Sequence, residues 1–201
     1  MNRAQLKEMA KSQIKGNIGI LFVIVLLIGL IGSAVGAIPV VGAIAAALVV
    51  TPAFSLAVIQ IYLGLTQGRK PEISDMFSEF KNFWPAFKVN FLVGLFTGLW
   101  SLLFFIPGLI KMISYSMSMY ILAENPELGA LEAISRSKKM MHGYKMEFFV
   151  LSLSFIGWLL LGAITFCIAY IYVLPYMQAT LANFYNSIKS NGVVVENPVE
   201  F

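Results

Sequence analysis

One histidine, one cysteine and ten acidic residues are the whole stock with which this 201-residue chain could carry out acid–base, thiol or metal chemistry. His142 stands alone and Cys167 lies in an apolar run, so no metal site or thiol active site can be assembled from them. Glu124, Glu127 and Glu132 are spaced as helix-capping groups, and nothing pairs two of them as acid and base. No catalytic residue, metal ligand or cofactor is expected, and the chain does not read as an enzyme. Lys111 is out of place in a different way. It follows Pro107 by four residues inside an apolar stretch, with Ser114, Tyr115, Ser116 and Ser118 behind it. A lysine at the centre of a bilayer-spanning helix costs about 2.5–3.5 kcal/mol on insertion scales. Two outcomes are open. The ammonium snorkels to the nearer interface, or Lys111, Ser114, Tyr115 and Ser118 line a polar cavity for a lipid phosphate, a peptide carboxylate or another anion. The serines could equally bond to a neighbouring helix or to their own backbone.

These residues must be positioned by helices in a membrane. Residues 16–68 and 148–188 contain no Asp, Glu, Lys or Arg, and a spanning helix needs about 20 apolar residues, so each stretch can hold two spans. The whole chain is 59% hydrophobic and 12% charged, against about 25% charged in soluble domains. The spans drawn from the sequence are 17–38, 40–65, 89–106, 109–123, 148–166 and 169–188. The fourth is 15 residues long and covers only about 22 Å. The expected fold class is an all-α membrane protein: about six transmembrane helices as three hairpins, each preceded by a cytoplasmic amphipathic interfacial helix. The chain is one polytopic domain over 1–201: amphipathic helix 1–15, hairpin 17–65, amphipathic helix 71–87, hairpin 89–123, amphipathic helix 125–142, hairpin 148–188 and tail 189–201.

Charge sets the threading. If the chain crosses in pairs, all ten acidic residues and every Lys and Arg except Lys111 share one face. The positive-inside rule then puts both termini and both large loops in the cytoplasm of a multi-pass cytoplasmic-membrane protein. The N-terminus imitates a secretory signal, but the apolar run continues for a second span, so it reads as retained. The net charge of +4 comes from basic residues flanking apolar spans, where they meet anionic headgroups or fix orientation; nucleic acid is not an expected partner.

The organisation reads as one unit used three times: a short amphipathic segment, a span, a turn, and a returning helix carrying a proline. Pro52, Pro107 and Pro175 lie at similar depth and are expected to break their helices, and Tyr62 and Tyr185 each follow a proline by ten residues. Gly32 and Gly36, and Gly94 and Gly98, stand four apart on one helix face, where small residues allow close packing within the chain or in a homo-oligomer. In the first amphipathic segment Leu6, Met9, Ala10 and Ile14 recur at helical spacing, and Gly16 fits a helix stop. In the second, Ile73, Met76, Phe77, Phe80, Phe83 and Trp84 form an apolar stripe behind a capping Ser74. In the third, Asn125 can cap, Pro126 suits the first helical position, and Glu127 complements the positive helix end. With Arg136, Lys138, Lys139 and His142 these residues make a candidate cytoplasmic platform for lipid or protein.

The run SYSMSMYILAENPELGALEAISRSKKMMHGYK over 114–145, with LSFIGWLLLG over 153–162 and LPYMQATLANFY over 174–185, resembles a group of small bacterial integral membrane proteins. Their shared domain is catalogued as a domain of unknown function, number nine hundred and seventy-five. The chain is more distantly similar to the membrane domain fused to some bacterial glycerophosphodiester phosphodiesterases, which implies proximity to phospholipid metabolism. Unlike in those enzymes, no soluble catalytic domain is expected within these 201 residues. The resemblance thus implies a bacterial origin and a fold, and no activity.

Two function classes remain. The first is a non-catalytic organiser or accessory subunit, whose interfacial helices and small-residue faces hold a membrane partner or a lipid. The second is a carrier, export or immunity component that moves a lipid or a membrane-active peptide past Lys111. No acidic residue lies within any drawn span, so a carboxylate relay of the common kind is missing and the organiser asks for fewer unseen groups. The expected partners are membrane lipids, with another membrane protein or an amphipathic peptide as further candidates.

Overall fold

Backbone N–H and C=O groups have no partner in hydrocarbon except one another, and this chain meets that demand with helices. The computed structural model describes residues 3–38, 42, 44, 46–103, 105–165 and 169–191, and no strand occurs among them. In chain order the helices are α1 (Arg3–Ile14), α2 (Ile18–Gly36), α3 (Thr51–Thr66), α4 (Asp75–Ser78), α5 (Phe83–Leu103), α6 (Phe105–Tyr115), α7 (Ser118–Glu124), α8 (Ala130–Met140), α9 (Lys145–Leu153), α10 (Ile156–Ile164) and α11 (Tyr170–Asn191). A π-helical turn, Ala46–Val50, leads into α3, and a 3-10 turn, Glu79–Asn82, joins α4 to α5. Cys167 and the tail from residue 192 onward lie outside the described residues.

Five stretches among the described residues are long and apolar enough to cross a membrane: Ile18–Gly36, Leu48–Thr66, Asp75–Leu102, Ile106–Glu124 and Lys145–Gly162. The fourth is longer than the sequence suggested. Its helix starts ahead of Pro107, and 19 residues give about 28 Å, close to a hydrocarbon thickness of about 30 Å. The sixth expected span falls in α11, which is long enough at 22 residues. Gln178, Thr180, Asn183 and Asn186 make it too polar to be counted by apolarity alone.

Helix contacts follow the threefold repeat. α1 packs along α11, α4 and its 3-10 turn pack on α3, and α8 packs on α7. Each unit's opening helix thus docks on the second long helix of the preceding unit, with the first unit docking on the third. Those second helices also meet one another: α3 touches α7 and α11, and the rings of Tyr120 (α7) and Tyr185 (α11) stack at 5.3 Å. The first long helix of each unit stays peripheral. In the apolar stretches of α2, α5 and α9–α10 only 11%, 11% and 17% of residues are buried, against 56% in the spans ending at Thr66 and Glu124.

Several local expectations change. In α1 the residues Leu6, Ala10 and Ile14 are buried, while Met9 is 48% exposed. Its apolar stripe is therefore covered by α11 and not offered to lipid. Segment 71–87 is not one helix: α4 is four residues long, and Phe83 already opens α5. Met76 is buried, and Phe77 and Phe80 meet Phe54 of α3 edge-on at 6.1 and 5.4 Å. Ser74 makes no capping bond; Asp75 accepts the Glu72 N–H at 2.9 Å and pairs with Arg69. The third amphipathic helix starts at Ala130 behind Gly129. Asn125 closes α7 instead, because Pro126 disfavours helical geometry at the residue before it; Asn125 has φ −132°, and its amide donates to the Ile121 carbonyl at 3.1 Å. Gly16 does end α1, with φ +86°, a left-handed conformation that glycine adopts without penalty. Among the three prolines only Pro175 lies well inside a helix. Pro107 takes the third position of α6, where a missing N–H has no intrahelical partner to lose, and Pro52 stands where the π-helical turn passes into α3.

Candidate functional site

The residues that carry polarity into the bundle are mostly uncharged, and they gather where α1, α3, α7 and α11 meet. Gln13 of α1 and Asn183 of α11 exchange two amide hydrogen bonds, Gln13 Nε2 donating at 3.1 Å and Asn183 Nδ2 donating at 2.6 Å. Asn183 is 2% exposed and also donates to the Ala179 carbonyl at 2.9 Å. One turn later, Asn186 Nδ2 donates to Thr66 Oγ1 of α3 at 2.8 Å. Gln60 of α3 donates to the Ala123 carbonyl at the end of α7. Glu124 closes the set: its carboxylate accepts the Tyr185 hydroxyl and the Lys189 ammonium, each at 2.7 Å. In a low-dielectric setting such bonds tie helices together, each worth about 0.6 kcal/mol on average by double-mutant cycles. The arrangement can hold three repeats in register. The hydroxyls of Tyr62 and Ser118 are buried near this region's helices without a hydrogen-bond partner among the described residues.

Lys111 and the serines behind it do not share one environment. The Lys111 ammonium sits 4.6 Å from the centre of the Trp100 ring, a cation–π contact between α6 and α5. Ser114 is buried and donates to the Ile110 carbonyl of its own helix at 2.7 Å, while its own carbonyl accepts the Ser137 hydroxyl of α8 at 2.8 Å. Tyr115 is buried with its ring 6.3 Å from Phe96, and Ser118 is buried in α7. Aromatic faces also receive two cations of α1: Lys7 lies 4.5 Å from the Phe155 ring and Lys11 lies 5.7 Å from Tyr176. Burial, and then repulsion from Lys11 and Arg3, hold the Lys7 ammonium below the ordinary lysine range.

Of the expected platform, Glu127, Lys138, Lys139 and His142 are exposed. Arg136 is not available in the same way, since its guanidinium donates to Glu132 one turn back at 2.6 and 3.1 Å. Asn125 is half-buried at the end of α7. Among the described residues no group of three His, Cys, Asp or Glu side chains is placed to hold a metal ion.

Among the described residues nothing packs on the paired glycines. A Cβ placed on Gly32, Gly36, Gly94 or Gly98 meets nothing within 4 Å. Close approach occurs instead at Gly108, where a Cβ would stand 2.8 Å from the Ser101 Cα across the α5–α6 turn. Three of the open glycines line grooves. Gly94 and Gly98 line one of about 650 Å³ with Pro52, Asn90 and Leu99. Gly32 lines one of about 510 Å³ with Ser55, Tyr120 and Gln178. A third, also about 510 Å³, runs between α2 and α11 beside Gly29 and Pro175. Lys111 lines none of these three.

The inventory of formal charge missed Gln13, Gln60, Gln178, Asn183 and Asn186. For Gln60, Gln178, Asn183 and Asn186 the signal was present as amides inside charge-free, largely apolar runs, which a tally of ions passes over; Gln13 lies in the basic first segment and gave no such signal. A family model described as a protein of unknown function (DUF975) matches residues 1–115 and 105–192. No curated protein and no solved structure matches the chain.

Proposed function

The chain belongs to the DUF975 family of proteins of unknown function, and we propose that it is a non-catalytic organiser or accessory subunit that holds another membrane protein against its peripheral helices. The supporting observation is the contrast between centre and edge. The polar side chains of the centre are largely bonded to one another, while α5 carries Gly94 and Gly98 along a groove with no neighbour near either glycine. Only 11% of the residues in its apolar stretch are buried, so most of its apolar surface is turned outward. Helix surfaces with small residues associate in membranes because backbones can approach closely. On this reading all six long helices cross the cytoplasmic membrane with both termini inside, and exposed Lys138, Lys139 and His142 form a cytoplasmic contact beside the partner.

A photoreactive label on Leu99→Cys, in a Cys167→Ser background, tests the proposal in native membranes. A discrete protein adduct is expected, lost when Gly94 and Gly98 are both replaced by Leu. Adducts to lipid alone refute the reading. The carrier alternative draws less from the geometry, because Lys111 is engaged with Trp100 away from all three grooves.

A further inference from the structure

Gln178 is anomalous for its position. It lies eleven residues ahead of Lys189 on α11, about 16 Å along the helix, near half of a 30 Å hydrocarbon core. Its neighbours Asn183 and Asn186 are bonded across helices, but the Gln178 side chain makes no hydrogen bond among the described residues. An amide in an apolar medium without a partner is costly, so polar side chains at this depth ordinarily find one another or a ligand. The Gln178 side chain is half-buried and lines the groove formed with Ile28 and Gly32 of α2, Ser55 of α3, and Tyr120 of α7. Ser55 is already engaged, donating to the Pro52 carbonyl at 3.1 Å and accepting from Asn90 at 3.1 Å. The Tyr120 hydroxyl, like Gln178, forms no hydrogen bond among the described residues. The groove is thus lined by Gln178 and Tyr120, whose side chains form no hydrogen bond among the described residues, beside Thr51 and Ser55, which are engaged, on a largely apolar wall.

We propose that this groove binds an uncharged lipid of the diacylglycerol class, its hydroxyl or ester head bonded to Gln178 and Tyr120 and its chain lying along α2. Size, charge and depth each select that occupant. About 510 Å³ falls within the range of small-molecule sites. Among the described residues no Lys, Arg, Asp, Glu or His lines the groove, so a phosphate would be buried there without a counter-ion. The headgroup of a bilayer phospholipid sits at the interface, whereas the small head of a neutral lipid can sink to the level of Gln178. The neighbouring grooves lack this feature. Asn90 in the first is bonded to Ser55, and in the third Ser33 donates to the Leu30 carbonyl and Tyr170 to the Leu159 carbonyl. The site does not depend on the organiser reading.

The test uses purified full-length protein in nanodiscs with two photoactivatable probes, a diacylglycerol and a phosphatidylglycerol, the adducts being mapped by mass spectrometry. The diacylglycerol probe should label peptides of α2, α3 and α11 that line the groove. Gln178→Leu keeps side-chain bulk and removes the amide; it should lower that labelling about ten-fold, the worth of a hydrogen bond or two. Gly32→Leu, whose side chain has free space to enter, should block it as well. Phosphatidylglycerol labelling should be the same in all three proteins. Undiminished diacylglycerol labelling in a folded Gln178→Leu variant overturns the proposal, as does an equal loss with both probes. Should Gly32→Leu fail to fold, the Gln178→Leu comparison decides alone.

Discussion

Removing the amide pair between α1 and α11 separates two pictures of the N-terminal helix. If α1 lay free in the membrane interface, Gln13 and Asn183 would be energetically independent. The structure joins them by two hydrogen bonds, at 3.1 and 2.6 Å, over a contact in which Leu6, Ala10 and Ile14 are buried. At about 0.6 kcal/mol for each interhelical bond, the pair is worth about 1.2 kcal/mol, or about eight-fold in an equilibrium constant. Gln13→Ala and Asn183→Ala should each destabilise by at least that much, because each leaves the other amide unpaired. The double variant should be less damaging than the sum by about 1.2 kcal/mol. Unfolding of the four proteins in mixed micelles, followed by circular dichroism against a denaturing detergent, measures the coupling. Additivity within about 0.3 kcal/mol refutes the docking of α1 and with it the closure of the third unit on the first.

Three further outcomes follow from particular residues. Gly108→Ala puts a methyl group 2.8 Å from the Ser101 Cα and should cost about 1–3 kcal/mol, whereas Gly98→Ala, with no neighbour, should be neutral or mildly stabilising; equal effects on the melting temperature would contradict the tight α5–α6 turn. Lys7 has its pKa held below 10.5 in the folded protein, first by burial, so folding releases protons from it, and stability should rise with pH as the solution passes from the folded pKa towards 10.5. The melting temperature of the wild type relative to Lys7→Met should climb across that interval, and a flat difference refutes the assignment. Ser78→Cys in a Cys167→Ser background should resist an impermeant maleimide on intact cells and react after permeabilisation; labelling of intact cells reverses the proposed threading.

The sequence by itself determined that this is a helical protein built for an apolar solvent. Uninterrupted charge-free runs at 16–68 and 148–188 are a matter of composition, and hydrocarbon permits few structures for such runs. The recurrence of amphipathic segment, apolar run and proline also suggested a threefold repeat, with which the helix contacts are compatible. Sequence could not say which faces are covered, because an apolar side chain facing lipid and one facing another helix obey the same hydropathy. Only the tertiary structure decided that α1 is buried against α11 and that Gly94 and Gly98 remain open. It also decided the roles of the amides. Asn183 and Gln13 are 170 positions apart, and directional hydrogen bonds between distant residues leave no periodic trace in a chain. The same geometry left Gln178 facing a groove without a partner, a distinction no count of residues makes.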